Sequence, residues 1–363
     1  MLRVGIIGCG LIGRKRAGVI KSDPGCYLSC VADVKVFNAA TLIKEFGNGK
    51  AYHDWREMLD AEKLDIVVAA TPNKFLKEIV LWAAQRNIHV LCEKPLGRNA
   101  EESEAMVAAA RENGVVLKAG FNHRYHPAIW KAHYLVGERT IGDVYFIRCI
   151  YGHGGRSGYE KEWRASRDIC GGGELLDQGV HVVDLFRWFM GDFEEAFGYT
   201  PTYYWEMDVE DNAFACFKNS EGKMATMHTS WTQWKNRFIF EIFGEAGYLI
   251  IDGLGGSYGV EKLTVGLRRK ELGANSKVLG VRRGETGVKY TAGVPDEEAI
   301  VFDGLDISWE EEWKEFTSAI REGREPLGSG KDGLEANRMI AAVYQSAAES
   351  RPVKMSEVQD VRR

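Results

Sequence analysis

Within its first thirteen residues the chain commits to a strand, a glycine-rich turn and the start of a helix. Leu2 to Ile7 is largely apolar and runs directly into Gly8-Cys9-Gly10-Leu11-Ile12-Gly13. A short strand, a glycine turn and a helix in that order form the dinucleotide-binding arrangement. Each glycine has its own reason. Gly8 permits the tight turn, Gly10 keeps side-chain atoms away from a pyrophosphate, and Gly13 lets the helix lie against the sheet. The first free N–H groups of the helix then face the diphosphate, which places Leu11 and Ile12 among the cofactor contacts. A second apolar run, Leu28 to Ala32, ends in Asp33, twenty residues beyond Gly13. A carboxylate there accepts hydrogen bonds from the ribose hydroxyls and repels a 2′-phosphate, so NAD is expected over NADP. Lys35 and the basic run Arg14, Lys15 and Arg16 leave NADP possible, since either can approach a phosphate; the plain alternative for the run is a solvated helix face.

Strands and helices alternate regularly through residue 119. Helices are expected over Val36 to Phe46, His53 to Leu59, Lys74 to Arg86 and Glu101 to Glu112. Strands are expected at Leu64 to Ala70, His89 to Cys92 and Val115 to Ala119. Short, continuously apolar runs suit parallel strands covered on both faces. Ligands gather beyond the carboxyl ends of such strands, where Gly8, Asp33, Thr71-Pro72-Asn73 and Lys94 all fall.

The second half changes character. Helices are expected at His126 to Val136 and Glu174 to Met190, then at Ser308 to Glu322 and Gly333 to Ser350. Val144 to Tyr151, Ala213 to Phe217, Lys223 to Ser230, Arg237 to Phe243 and Tyr248 to Asp252 have strand character without long helices between most of them, which suggests a mostly antiparallel sheet. Residues 253 to 307 show no clean period. The expectation is an α/β Rossmann domain over 1–121 and an α+β domain over 122–363 with an open, mostly antiparallel sheet, the terminal helices allowed to pack back on the first domain.

Composition excludes several classes. A net charge of −5 with no strongly basic segment argues against nucleic acid, and no long uncharged apolar run offers a membrane span. The seven cysteines include no CxxC pair, which suggests free thiols, a reducing cytoplasm and no metal site. The opening strand leaves no room for a signal peptide.

Three groups of residues can carry chemistry. Lys94, beside a proline at a strand end, is either a surface lysine or a cation that stabilises a developing alkoxide. Asp177 and His181 stand four apart in an expected helix and so share a face. They either satisfy one another or form a carboxylate that orients a basic imidazole. His153, Tyr159, Trp163 and Arg164 make a polar, aromatic loop suited to a polyhydroxylated ligand, with Arg156 and Arg124 as further cations; the alternative is a domain or oligomer contact.

The glycine turn, Thr71-Pro72-Asn73, Glu93-Lys94-Pro95 and Asp177-Gln178-Gly179-Val180-His181 together resemble the Gfo/Idh/MocA oxidoreductase family. The likeness extends over nearly the whole chain and takes in the crossover Gly120 to Pro127. It implies a catalytic trio of Lys94, Asp177 and His181, with Asp177 orienting the imidazole. Glu93 and Lys94 join the expected cofactor contacts, and the loop and arginine candidates Arg124, His153, Tyr159, Trp163 and Arg164 join Asp177 and His181 on the expected substrate side. The implied reaction interconverts a secondary alcohol and a ketone on a sugar, sugar derivative or inositol, in a homodimer or homotetramer. The alternative is an NAD-dependent glycosidase working by transient oxidation and elimination. One departure stands out: the family often has histidine where this chain has Leu76.

Overall fold

The computed structural model describes residues 1–268 and 295–358. Six strands form the first sheet: β1 (Leu2–Ile7), β2 (Cys26–Ala32), β3 (Lys50–Tyr52), β4 (Ile66–Ala69), β5 (His89–Cys92) and β6 (Leu117–Ala119). They are parallel, in the order β3-β2-β1-β4-β5-β6. The order reverses between β1 and β4, which opens a crevice beyond their carboxyl ends. Ile66 to Ala69 are fully buried because helices cover both faces. The turn after β1 needs its glycines. Gly8 has φ +95°, and a Cβ on Gly13 would stand 1.9 Å from the Gly8 carbonyl oxygen, so only glycine lets the helix Leu11–Ser22 sit this close.

The second sheet contains β7 (Val144–Gly152), β8 (Glu195–Tyr199), β9 (Asn212–Lys218), β10 (Met224–Ser230), β11 (Arg237–Gly244), β12 (Gly247–Asp252), β13 (Glu261–Leu267), β14 (Asp296–Phe302) and β15 (Val353–Lys354). Among the described residues their order is β14-β13-β12-β11-β7-β10-β9-β8-β15. Only β7 and β10 run parallel; the other neighbours are antiparallel. Alternation along β11 and β12 sends Phe238, Phe240, Ile242, Leu249 and Ile251 into one core with the helix Gly179–Met190. The other face leaves Ile150, Tyr199 and Phe214 exposed. The strands β13 and β14 lie in the stretch that showed no period. β14 is an exposed edge that begins Asp-Glu-Glu, and acidic side chains there discourage further pairing at the expense of alternation. Residues 269–294 of that stretch lie outside the described residues.

Two expectations are corrected. The helix over Glu174 to Met190 is two helices, Glu174–Asp177 and Gly179–Met190, separated at Gln178. The Asp177 carbonyl accepts from Lys94 Nζ at 2.6 Å, and the His181 N–H turns instead to the Gln178 carbonyl. The basic run Arg14 to Arg16 is not a uniform solvated face. Arg16 is fully buried, 2.7 Å from Glu93 and 2.6 Å from Glu312, whose helix Ser308–Glu322 packs on the first domain through Trp313 and Phe316. All seven cysteines are free, and among the described residues no helix is long and apolar enough to cross a membrane.

Arg124 also differs from its expected substrate role. It is buried in the crossover between the sheets, where its Nε donates to Asp184 at 2.8 Å and its Nη2 lies 3.5 Å from Asp332. It thus joins the crossover to Gly179–Met190 and to the terminal helix Gly330–Glu349. Removing one member of a buried pair leaves the other charge uncompensated. Arg124→Ala is therefore expected to lower stability by about 3–5 kcal/mol, measured as a fall in the denaturant midpoint. An unchanged midpoint would show that the pair contributes nothing.

Candidate active site

A cleft of about 1080 Å³ runs along the carboxyl ends of the first sheet and under the second. One end is formed by Gly8, Gly10, Leu11, Ile12 and Asp33; the middle by Thr71, Pro72, Asn73, Glu93 and Lys94; the far end by His123, His126, Tyr151, Trp163, His181 and Tyr258. The first end fits a dinucleotide. No side chain caps Gly10, no acidic residue stands in the first helical turn, and a Cβ on Gly10 would meet nothing within 4 Å. Backbone N–H groups are thus open to an anion, with room for it to approach. Asp33 accepts from the Cys9 N–H at 2.8 Å and the Lys35 N–H at 2.7 Å, which fixes its carboxylate at the cleft wall. Gly13 lies behind the turn as packing, not in the wall. Asn73 lies in the wall, yet its Nδ2 also donates to the Cys170 carbonyl at 2.7 Å and so tethers the glycine triplet before Asp177.

Lys94 connects the two domains. Its ammonium donates to both the carbonyl, at 2.6 Å, and the carboxylate, at 2.9 Å, of Asp177. The second carboxylate oxygen of Asp177 accepts from Arg164 Nε at 3.2 Å. Burial alone would raise the Asp177 carboxyl, but Lys94 and Arg164 outweigh it and hold the group well below the usual carboxylate range. With both oxygens engaged this way and the helix broken at Gln178, Asp177 does not orient His181. That expected contact is replaced by a ring: His181 stacks on His123 with centroids 3.7 Å apart and planes 17° from parallel. Among the described residues its Nδ1 is buried without a hydrogen-bond partner. Burial, then Lys94 and His126, push its pKa well below the ordinary histidine value, so the imidazole is neutral near pH 7.

The aromatic loop divides. Trp163 lines the cleft, and Arg164 lies 4.3 Å over its ring while bonded to Asp177. Tyr159 does not reach the cleft: it is buried in a small core with Trp205 and Trp231. His153 packs edge-on against Tyr159 and accepts from the Gly155 N–H, so both stand behind the wall. Leu76 is fully buried in the first domain's core, and its neighbour Phe75 faces the cleft.

The sequence reasoning missed His123, His126, Tyr151, Tyr258 and Trp309, all in the cleft wall, whereas Lys15, a candidate cation for a phosphate, does line it. A signal existed for the histidines, since both lie just beyond β6 on the side where ligands gather. Tyr258 lies in the aperiodic stretch and gave none. Trp309 reaches the nucleotide end from the far terminus and sits 4.8 Å from the Lys15 ammonium.

Comparison with known proteins agrees with this geometry. Residues 2–121 match the oxidoreductase family with an NAD-binding Rossmann fold, and residues 129–250 match the GFO/IDH/MocA C-terminal domain. Levoglucosan dehydrogenase of Pseudarthrobacter phenanthrenivorans is 27% identical across 98% of this chain and 99% of that protein. 1,5-Anhydro-D-fructose reductase of Ensifer adhaerens is 31% identical across 69% of this chain and 75% of its own. A solved levoglucosan dehydrogenase in complex with NADH and levoglucosan shares the fold, with a TM-score of 0.84 and 24% identity over 99% of this chain and 100% of that one. With both halves matched in order and a relative above 30% identity, the chain belongs to the Gfo/Idh/MocA family of NAD(P)-dependent oxidoreductases.

Proposed function

We propose that this protein interconverts a secondary alcohol and a ketone on a ring polyol (a sugar, a sugar derivative or an inositol), with NAD as the cofactor. The observation that carries the proposal is the placement of the Lys94 ammonium, anchored on Asp177, in the same cleft wall as the neutral His181 and the glycine turn. Relatives named for levoglucosan and for 1,5-anhydro-D-fructose support a carbohydrate ring as substrate.

The glycine turn would hold the diphosphate, Asp33 the ribose, and Thr71 to Asn73 with Glu93 the nicotinamide half. When bound there, the cofactor supplies the hydride acceptor for the carbinol carbon. An ammonium has three donors. Asp177 takes two from Lys94, which leaves one for the substrate oxygen, where negative charge develops. His181 then accepts the hydroxyl proton, and returns it when the ketone is reduced. Trp163 offers a flat face for the ring. Self-association through the outer face of the second sheet, where Ile150, Tyr199 and Phe214 are exposed, is the assembly this surface supports.

Two experiments test the proposal. Purified protein is to be screened with NAD, and separately NADP, against inositols, sugars and glycosides, following absorbance of the reduced nicotinamide. A substrate-dependent rise with NAD is expected, with kcat lowered about 10²–10⁴-fold in Lys94→Ala and NADH affinity little changed. Glycoside cleavage without net NADH would overturn it in favour of the glycosidase. Gly10→Ala separates binding from folding. Its methyl group meets no protein atom within 4 Å, so the unfolding midpoint should hold while NADH affinity falls at least about tenfold, read by fluorescence titration. Equal affinity in Gly10→Ala would move the diphosphate elsewhere.

A further inference from the structure

The stacked pair in the cleft is held by a chain of hydrogen bonds whose directions can all be assigned. The Ser308 hydroxyl donates to Asp306 at 2.6 Å, so its oxygen accepts from Asn122 Nδ2 at 3.0 Å. That turns the Asn122 oxygen toward His123 Nδ1, 3.2 Å away, and Nδ1 therefore carries the ring proton. His123 Nε2 is left as an acceptor, and the Tyr151 hydroxyl donates to it at 3.0 Å. Both edges of the ring are thus fixed, and one of its faces lies flat against His181. We propose that His123 is the positioning residue of this site: it sets the plane of the His181 imidazole and keeps water from its face. In this role it replaces the carboxylate that the Asp177 to His181 spacing suggested.

The electrostatics follow from the geometry. Burial, then His181, His126 and Lys94, hold His123 well below the ordinary histidine pKa, so it stays neutral beside its neighbour. A protonated His181 over a neutral ring face is tolerated, whereas two imidazolium rings 3.7 Å apart would repel strongly. The titratable and charged groups around the pair come from several elements. They are Lys94 after β5, His126 beside His123 with Glu261 of β13 behind it, Tyr151 of β7, Tyr258 of the 253–260 loop, Glu174 and Asp177 before the break, and Asp306 at the end of the chain of bonds. Asp306 and Trp309 also line the cleft, so the segment that closes the nucleotide end holds the ring that orients the imidazole.

The inference rests on His181 as the proton acceptor, and its test is made independent of turnover. Imidazole resonances of the substrate-free protein are to be followed against pH in the wild type, His123→Ala, His123→Phe and Tyr151→Phe. In the wild type His181 should carry a ring-current shift and should not titrate near the ordinary value of about 6.5. In His123→Ala the ring-current shift should vanish and titration should move up toward that value. His123→Phe, which restores a flat ring, should return both toward the wild type. Tyr151→Phe conserves volume and frees one edge of His123; it should reduce the ring-current shift, and it decides the matter if His123→Ala does not fold. A His181 signal unchanged in shift and titration across folded variants overturns the proposal. The pH dependence of kcat/KM is measured in parallel. If His181→Gln keeps the wild-type acidic limb, the reading of His181 as base fails, while the resonance data still decide the role of His123. If the limb is lost in His181→Gln, His123→Ala should lower kcat at least about tenfold with KM little changed.

Discussion

The contact between Lys94, in the wall of the cleft, and Asp177 ties the two halves of this protein together. Lys94 stands at the end of a parallel strand, and Asp177 ends the first turn of a broken helix in the other domain. Both side chains are largely withdrawn from solvent, at 19% and 17% exposure. A partly dehydrated ion pair is stable only where hydrogen bonds satisfy its charges, and here the Asp177 carbonyl and Arg164 supply them. The helix breaks at the same place: the Asp177 carbonyl accepts from Lys94, and the His181 N–H that would reach it in a continuous helix turns to Gln178. The break and the interdomain tie meet at one residue.

The residue before Lys94 is anchored in the opposite direction. Glu93 pairs with the buried Arg16 of the first helix, and Arg16 in turn reaches Glu312 of the helix Ser308–Glu322. Adjacent residues of opposite charge are therefore held apart, one toward the first domain's helices and one toward the second domain. That fixes the strand end against rotation. The ammonium can then point its remaining donor into the cleft without adjusting when a ligand arrives, the kind of preorganisation on which electrostatic stabilisation depends.

The sequence revealed what is encoded locally. The glycine turn, Asp33 and the strand-end segments follow from period and spacing, and they fall where expected. Arg16 was legible too, since Gly13, Arg16, Ala17 and Ile20 are buried at helical spacing, but its charge suggested a solvated face. Other features depend on tertiary partners. The four-residue spacing of Asp177 and His181 suggested a pair, yet a lysine and an arginine from elsewhere captured the carboxylate. Tyr159 looked like a ligand contact and is core, because Trp205 and Trp231 arrive from segments far along the chain. His123 gains its role only when β7 brings Tyr151 to one edge and Ser308, at the start of the helix Ser308–Glu322, holds Asn122 at the other.

The distribution of paired charges also bears on the substrate. The three arginines that the sequence offered as cations for a ligand each already have a carboxylate partner: Arg124 with Asp184, Arg156 with Glu162, and Arg164 with Asp177. Recruiting Arg124 to a phosphate would strip the buried Asp184 of its hydrogen-bonded partner, and recruiting Arg164 would take one of the two cations that hold Asp177. Lys15 and Lys35 line the cleft, but beside the glycine turn, where the cofactor's diphosphate and ribose belong. The far end keeps one donor of Lys94, three imidazoles of which two are stacked and neutral, two tyrosines and a tryptophan. That set supplies flat faces and directional hydrogen bonds with little net charge, which matches an uncharged ring carrying several hydroxyls better than an anion.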